Sequence, residues 1–314
     1  AALVDKRVVG VTCASTRQEI MAGQEFPIII LDESSQVIEP VSFLPLARFR
    51  CKVLVAGGDP KQLPPTLMNP SMAESCSEPQ DLSRTLFSRL SFAGLQPILL
   101  KRQYRCHPSI GSLASSLFYE NQLINGVSAD DRSSMIRGFA PIVFFDVSSG
   151  TESANECGSF VNNEEARLVK SIVLGTIDAG VEPSQIGVIC LYKAQVHSLQ
   201  EMLASDLGGD TETSAATLKN SSSPLVSTVD AFQGGEKEII IVSCCRTESL
   251  GFISSPNRMN VAITRARRHL ILVGNGKTLP KNDCWGQIIQ QARLLEGGYF
   301  DSRAFIMSGF SFDI

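Results

Sequence analysis

The chain has 314 residues, a length that corresponds to about two globular domains. Hydrophobic residues make up 43% of it and charged residues 19%, which is enough apolar material for buried cores and excludes a wholly disordered chain. The formal net charge of −4 excludes a polybasic protein that holds nucleic acid by bulk charge, so any contact with nucleic acid must be local.

The longest apolar runs, such as residues 28–31 and 239–242, are far shorter than the roughly 18 to 20 residues that cross a membrane, so we predict no membrane partner. Nine cysteines occur without a Cys-x-x-Cys pair, which favours reduced thiols in the cytosol or nucleus over a disulfide framework. The sequence has no initiator Met and no signal-like segment, and we expect it to be part of something longer.

Short apolar runs alternate with segments of helical period, which predicts an α/β protein whose parallel sheets are covered on both faces. The predicted strands are residues 8–13, 27–32, 52–56, 98–101, 142–147, 186–191, 225–228, 238–243 and 270–273. The predicted helices are residues 37–49, 81–92, 110–119, 164–177 and 194–205, with Asn162 and Glu165 as the cap of the fourth. Loops rich in turn-forming residues are predicted at residues 59–80 and 208–224.

Two acidic side chains, Asp32 and Glu33, directly follow a predicted buried strand, at the end where open α/β sheets bind ligands. Mg²⁺ requires oxygen anions beside substrate phosphates, and a neighbouring carboxylate can orient an attacking water. The alternative is an ordinary strand end or helix cap. Gln62 follows the next strand, where an amide could contact a terminal phosphate; the alternative is a plain exit from strand to loop.

A Gln-Tyr-Arg-Cys-His-Pro run at residues 103–108 precedes a predicted helix. Its histidine, His107, suits a structural position before a helix that begins at Pro108 better than a role in acid–base chemistry. Arg105 is the better candidate for function, because a guanidinium group is always charged and its fork matches a phosphate.

Two further segments combine polar side chains with a strand. Residues 226–238 carry hydroxyl and amide groups that can hold a sugar-phosphate backbone, and Glu236 there can accept hydrogen bonds from ribose hydroxyls. Residues 257–269 contain a Thr-Arg-Ala-Arg run before the last strand. Such a basic helix is usually a solvated face, but at this place it could supply an arginine finger.

These five segments, in this order and strand context, resemble motifs II and III, the Gln-Tyr-Arg-x-His-Pro element and motifs V and VI of superfamily 1 helicases. The match is to the up-frameshift and senataxin-like group, in the branch that moves 5′ to 3′. Residues 11–16 and 188–195 resemble its motifs Ic and IV, and the resemblance spans residues 8–276. Within the group, the residues of these motifs are most similar to those of helicases that carry a GRF-type zinc finger.

The resemblance implies two RecA-like parallel-sheet domains of the P-loop NTPase fold, the first one truncated at its N-terminus. Residues 1–95 would be the C-terminal part of the first domain, residues 96–280 the second, and residues 281–314 a C-terminal helix and tail. The family's Gly-x-x-x-x-Gly-Lys-Ser/Thr loop is missing from the sequence, since residues 274–278 imitate only its tail. We therefore expect this chain alone to be inactive as an ATPase. Smaller departures from the family pattern are Ser34, Ser35, Gly57 and Cys106.

The resemblance also implies a helicase with ATP and Mg²⁺ as cofactors, bound in the cleft between the two domains. It implies that Asp32 holds Mg²⁺, that Glu33 polarises the hydrolytic water and that Gln62 senses the γ-phosphate. Arg105 and Arg265 would reach the same phosphate. The remaining implied contacts are Tyr104 near the base, Gly235 and Glu236 at the nucleotide, and Thr12, Ser15, Thr16 and Thr228 on nucleic-acid phosphates.

The implied partner is single-stranded nucleic acid, with DNA favoured over RNA, together with protein partners in a repair or RNA-processing complex. The implied setting is DNA repair in the nucleus, with the cytoplasm as the alternative location. A different class of function stays open, a nucleic-acid-binding or scaffold protein without a P-loop and without ATPase activity. The retained acidic pair, glutamine and arginines favour the helicase, because a pure binder has no need of a γ-phosphate sensor.

Overall fold

The computed structural model describes residue 3 and residues 6–66, 83–207 and 223–307. The chain divides into two compact units, Ala1–Leu99 and Leu100–Ile314. Most of the two predicted long loops, and the tail after residue 307, lie outside the described residues.

The first unit contains strands β1 (Ile28–Leu31) and β2 (Val53–Ala56) and helices α1 (Glu39–Arg48) and α2 (Leu86–Phe92). The two strands are parallel, and Leu31 lies opposite Ala56, so both end at the same edge. Helix α2 begins with a capping box between Thr85 and Ser88. The core of this unit consists of apolar side chains on these elements and their flanks: Met21, Ile29, Leu31, Phe49 and Leu86.

Two predicted strands are wrong. Residues 8–13 pair with no strand in the described part of the first unit, and Val8 is 89% exposed. Residues 98–101 are also irregular; pairing begins only at β3 (Arg102–Gln103), which bonds to β4 (Ile124–Asn125). Both runs are apolar, but a strand forms only where a neighbouring strand satisfies its backbone groups.

The second unit is built on a parallel sheet with the strand order β12-β5-β11-β10-β8-β9. Its strands are β5 (Ile142–Asp146), β8 (Ile186–Cys190), β9 (Leu225–Thr228), β10 (Lys237–Ser243), β11 (Ala266–Gly274) and β12 (Tyr299–Asp301). A short antiparallel pair, β6 (Ser153–Ala154) and β7 (Phe160–Val161), stands apart from it. The strand sequences explain the arrangement, because a parallel sheet covered on both faces needs continuous apolar runs.

The helices of the second unit are α3 (Pro108–Phe118), α4 (Asn163–Asp178), α5 (Lys193–Asp206), α6 (Pro256–Ile263), α7 (Asp283–Arg293) and α8 (Ser302–Met307). Helices α4 and α5 pack on one face of the sheet, in a core with alternate residues of the central strands. The residues between those alternates are equally buried, for example Ile240 and Leu272, so the other face is covered too. The predicted cap of α4 is confirmed, since Asn162 Oδ1 accepts a hydrogen bond from the Glu165 amide at 3.2 Å.

Candidate functional site

The predicted acidic pair lies at the carboxyl end of β1. Asp32 and Glu33 are both exposed, and Asp32 Oδ1 accepts a hydrogen bond from the Glu33 amide at 3.0 Å. Glu33 adopts a left-handed backbone with φ of 49°, a conformation that a non-glycine residue rarely adopts. Its carboxylate accepts a hydrogen bond from Gln36 Nε2 at 2.6 Å. The two carboxylates are therefore held by local contacts and face solvent.

Two buried serines join this acidic turn to the end of β2. Ser34 Oγ donates to the Gly57 carbonyl at 2.7 Å, and the Ser34 amide donates to the same oxygen at 2.8 Å. Ser35 Oγ donates to the Asp59 carbonyl at 3.1 Å and accepts from the Asp59 amide at 3.0 Å. The fit is close, because a Cβ on Gly58 would lie 2.7 Å from the Ser35 amide nitrogen. In the sequence, Ser34, Ser35 and Gly57 are only departures from a family pattern. In the structure Ser34 bonds to Gly57 and Ser35 bonds to Asp59, so together they join the ends of the two strands.

This serine contact brings Gln62 to the edge where the acidic pair lies. Gln62 Nε2 donates to Asp59 Oδ2 at 3.1 Å, and Asp59 Oδ1 accepts from the Lys61 amide at 2.9 Å. Asp59 is itself bonded to Ser35 through its backbone. The structure thus places the predicted phosphate-sensing amide and the predicted Mg²⁺ ligand on adjacent strand ends of the same unit.

The three predicted strand-binding residues of the first unit are not equivalent. Thr12 is exposed and Ser15 partly exposed, and Thr12 Oγ1 donates to Ser15 Oγ at 2.8 Å. Thr16 is only 2% exposed, and its hydroxyl donates to the Cys13 carbonyl within the 3₁₀ turn Ala14–Arg17. The prediction that Thr16 grips nucleic acid is therefore corrected, because its hydroxyl is buried and bonded to the backbone.

In the second unit Arg105 is paired with Glu236. Arg105 Nε donates to Glu236 Oε2, and Arg105 Nη1 donates to the Thr264 carbonyl at 3.2 Å. Arg267 approaches the other oxygen of the same carboxylate at 3.9 Å. Two guanidinium groups around one carboxylate form a site where another anion, such as a phosphate, could compete for the arginines. The structure thus brings together two predicted nucleotide contacts, Arg105 and Glu236.

Arg265, the predicted arginine finger, is 2% exposed. Its Nε donates to the Val261 carbonyl at 3.0 Å, and its Nη1 donates to the Gly235 carbonyl at 3.4 Å. Backbone carbonyls therefore occupy the guanidinium group in this structure, and the role of Arg265 as an arginine finger stays a prediction. Gly235 lies just before β10, and its carbonyl is the group that Arg265 contacts there.

Tyr104 and His107 flank Arg105 in the chain and differ in exposure. Tyr104 is 61% exposed, and the carbonyls of Tyr104 and Arg105 accept hydrogen bonds from Arg132 at 2.8 and 2.7 Å. His107 is the N-cap of α3, where its Nδ1 accepts from the Ser109 amide at 3.1 Å, and burial lowers its pKa. The structural role predicted for His107 is confirmed. The sequence analysis missed Arg132, which lies 27 residues away from the backbone that it holds.

Thr228, the last residue of β9, is partly exposed, and its Oγ1 accepts a hydrogen bond from the Ala231 amide at 3.3 Å. At the same edge of the sheet, residues 274–278 form a turn whose amides are already bonded. The Gly276 amide donates to Asp146 Oδ1 at 2.9 Å, and those of Lys277 and Thr278 donate to Asn275 Oδ1. These bonds agree with the prediction that the turn is no phosphate loop.

A buried polar network ties together three elements of the second unit, and the sequence analysis identified only its Asn162–Glu165 cap. Glu165 on α4 accepts hydrogen bonds from Ser243 Oγ and the Cys245 amide, both at 2.8 Å. The backbone N–H of Asn162 donates to Gln195 Oε1 on α5 at 2.9 Å. Burial raises the pKa of Glu165 to about 8. The signal for this network is weak in the sequence, because its members are up to 83 residues apart.

Within the described residues, no helix is long and apolar enough to cross a membrane. The same residues contain no cluster of three or more His, Cys, Asp or Glu side chains that could hold a metal ion.

The fold and these sites define an α/β protein with parallel sheets and with charged side chains gathered at strand ends. Two family models, both described as "AAA domain", match residues 1–70 and 82–277. The chain belongs to this AAA domain family, among its superfamily 1 helicases, which confirms the resemblance seen in the sequence.

The chain is 45% identical over 292 residues to "5'-3' DNA helicase ZGRF1" of Mus musculus, a match that covers 93% of this chain and 15% of that protein. It is 36% identical over 293 residues to "Regulator of nonsense transcripts 1 homolog" of Neurospora crassa, covering 90% of this chain and 25% of that protein. It thus spans a quarter or less of the length of these relatives. The solved structure of the PRRSV helicase is 17% identical, with a TM-score of 0.41, over 82% of this chain and 37% of that one.

Proposed function

We propose that the chain is the part of an ATP-dependent helicase that couples ATP hydrolysis, with Mg²⁺, to 5′ to 3′ movement along single-stranded nucleic acid. The observation that carries this proposal is the pair of adjacent strand ends in the first unit. One end presents Asp32 and Glu33, the other presents Gln62, and Ser34 and Ser35 hold the two together. Enzymes catalyse phosphoryl transfer mainly by positioning the reactants and stabilising charge. Two strand ends held together, with charged and amide side chains, can provide both.

The donor set at β1 fits Mg²⁺. The ion prefers carboxylate oxygens and keeps several waters, and Asp32 and Glu33 are exposed carboxylates. Gly57 leaves room beside them, because even an added Cβ at Gly57 would lie 3.9 Å from Asp32 Oδ1. Asp32 would hold the ion, which when bound neutralises phosphate charge. Glu33 would accept a hydrogen bond from the attacking water, and Gln62 would donate to the terminal phosphate.

In the second unit, Arg105 would donate to a phosphate and Glu236 would accept from a ribose hydroxyl. Both groups now bond to each other, so a nucleotide would replace their ion pair with its own contacts. Arg265 would have to leave the carbonyls of Val261 and Gly235 before it could reach a phosphate. The proposal therefore includes a change of the Arg265 side chain when nucleotide binds. Tyr104, with its exposed ring, would lie near the base.

For the strand we propose DNA rather than RNA, and for the setting DNA repair in the nucleus. The support is the 45% identity to a mouse protein named as a DNA helicase. A relative named for nonsense transcripts, at 36% identity, makes RNA the alternative. Phosphates and base faces are shared by both nucleic acids, so a direct comparison of the two strands is the relevant measurement.

The test is ATP hydrolysis by the longest natural polypeptide that contains this chain, with and without single-stranded DNA or RNA. Glu33→Gln should slow the strand-stimulated rate by about 10²- to 10⁴-fold, because an amide cannot accept the proton of the attacking water. Glu25→Gln is the matched control; it removes an exposed carboxylate of the same unit, bonded to Arg50, and should leave the rate unchanged.

Full activity in the Glu33→Gln protein would contradict the role given to that residue. Absence of hydrolysis in the unaltered polypeptide, together with tight strand binding, would favour the binding or scaffold alternative instead.

A further inference from the structure

An exposed aromatic ring stands at the edge of the sheet where β8, β9 and β10 end. Phe252 lies in the 3₁₀ turn Gly251–Ser254 and is 63% exposed. The guanidinium carbon of Arg258 lies 5.3 Å from the centre of its ring, and the ring of Tyr192 lies 6.2 Å away. What distinguishes Phe252 from other exposed apolar side chains is the guanidinium group beside it, because a cation next to an exposed ring face is a combination that can bind a base.

The turn that carries Phe252 is firmly anchored. The next residue, Ile253, is fully buried, and its carbonyl accepts a hydrogen bond from Trp285 Nε1 at 2.8 Å. On the other side, Gly251 has φ of 51°, and a Cβ there would lie 2.6 Å from Arg246 Nη1. The close approach of Gly251 to Arg246 and the buried Ile253 together fix the backbone on both sides of the ring. Phe252 is thus a rigid platform on which a partner could stack at small entropic cost.

The platform adjoins the predicted phosphate contact of this unit. Thr228 ends β9, and two residues later Asp230 bonds to Arg258, at 3.4 Å to Nη2 and 3.5 Å to Nε. Arg258 thus links the loop after β9 to the ring of Phe252. Glu236, the predicted ribose contact, precedes the seven-residue strand β10, whereas Phe252 follows its far end. A strand of that length spans about 23 Å, so the platform is remote from the nucleotide residues.

We propose that Phe252, with Arg258 beside it, is a stacking platform for a base of single-stranded nucleic acid whose backbone passes Thr228. This rests on the proposed function and adds a base contact to it. Aromatic rings and guanidinium planes bind bases of any sequence, which is what a moving strand requires. A protein interface would instead place an exposed Phe within an apolar patch depleted of charge, whereas Phe252 lies beside Arg258, which is itself paired with Asp230.

The test is the affinity of the 314-residue chain for labelled oligothymidine and oligouridine, followed by fluorescence anisotropy. Phe252→Ala and Phe252→Leu should both weaken binding by roughly five- to a hundredfold, while Phe252→Trp should restore it. The leucine variant keeps an apolar side chain in the turn, so it separates the loss of the ring from a failure to fold. Phe92→Ala is the matched control, because Phe92 is an 89% exposed phenylalanine of the first unit that takes no part in the proposed contact.

A second measurement identifies the contact as stacking. A set of oligonucleotides carries one abasic residue, each at a different position. At one position the abasic residue should lower the affinity for the unaltered chain, while the affinity for the Phe252→Leu chain stays the same. The two strands distinguish DNA from RNA as the source of the base. If the unaltered chain binds neither strand, the proposed function fails. If it binds and both Phe252 variants bind equally well, only the platform fails, and the exposed ring would be assigned to a protein partner.

Discussion

At the scale of single residues, Glu165 is the side chain whose ionisation bears most on stability. It has no exposed surface, and Ser243 and the Cys245 amide both donate to one of its carboxylate oxygens. The Cys245 backbone has φ of 68°, and its amide reaches the carboxylate in that unusual conformation. Burial outweighs these donors, and the pKa of Glu165 rises to about 8.

This pKa predicts how stability changes with pH. The folded chain keeps Glu165 protonated up to about pH 8, whereas the unfolded chain loses the proton near the ordinary glutamate pKa of 4.5. Between those values the folded state binds the extra proton, so the free energy of unfolding should fall as pH rises, by at most about 1.4 kcal/mol per pH unit. Urea denaturation across this range should show the slope in the unaltered chain and a smaller one in Glu165→Gln.

The matched control for this experiment is Glu164→Gln, which changes the neighbouring, exposed carboxylate of α4. It should keep the slope of the unaltered chain. Identical slopes in the Glu165→Gln and unaltered chains would show that Glu165 is ionised in the folded state.

At the scale of elements, the connection between the ends of β1 and β2 is the contact most relevant to the site. Ser35 is 6% exposed and satisfies both the amide and the carbonyl of Asp59. Ser35→Ala should leave these groups without their partner, lower the free energy of unfolding by about 1 to 3 kcal/mol and speed amide exchange in the segment that holds Gln62. Hydrogen exchange of peptides covering residues 53–62, read by mass spectrometry, measures the effect.

Ser91→Ala on α2 serves as the control for that variant, since it removes a hydroxyl from the same unit without touching the strand ends. It should leave exchange of residues 53–62 unchanged. Unchanged exchange in Ser35→Ala as well would mean that the strand ends are held by the sheet alone.

The elements that could be predicted from the sequence are those that local pattern determines. Five strands of the large sheet contain continuous apolar runs, and α4 has its cap three residues before Glu165, so these elements were predictable to within a few residues. The sixth strand, β12, has only three residues and was not predicted. Residues 8–13 and 98–101 have the same apolar pattern but form no strand in the described part of the chain, and strand pairing is not a local property. The burial of Arg265 on the carbonyl of Gly235, 30 residues away, is non-local in the same way.

At the scale of the whole molecule, the chain contains a basic segment although its net charge is −4. Residues 257–269 carry four arginines, yet most of this charge is matched by acids at short range. Arg267 and Arg268 both bond to Glu238, each at 2.8 Å, and Arg258 bonds to Asp230. A strand that passes Thr228 would therefore meet a few hydroxyls, a ring and the partly neutralised Arg258 instead of a strongly positive surface. On the proposed function, so weak a contact would let the strand be released in every cycle of movement.

The last prediction concerns ATP turnover by the 314-residue chain itself. Its sequence lacks the Gly-x-x-x-x-Gly-Lys-Ser/Thr loop whose amides and lysine neutralise the triphosphate, and the amides at Gly276, Lys277 and Thr278 are bonded to side chains. We expect phosphate release at least about 10²- to 10³-fold slower than from the longer polypeptide, with or without an oligonucleotide. The Glu33→Gln chain should show the same residual rate, because without that loop the position of Glu33 no longer limits the reaction. Brisk hydrolysis that Glu33→Gln abolishes would show that this chain neutralises the triphosphate by other groups.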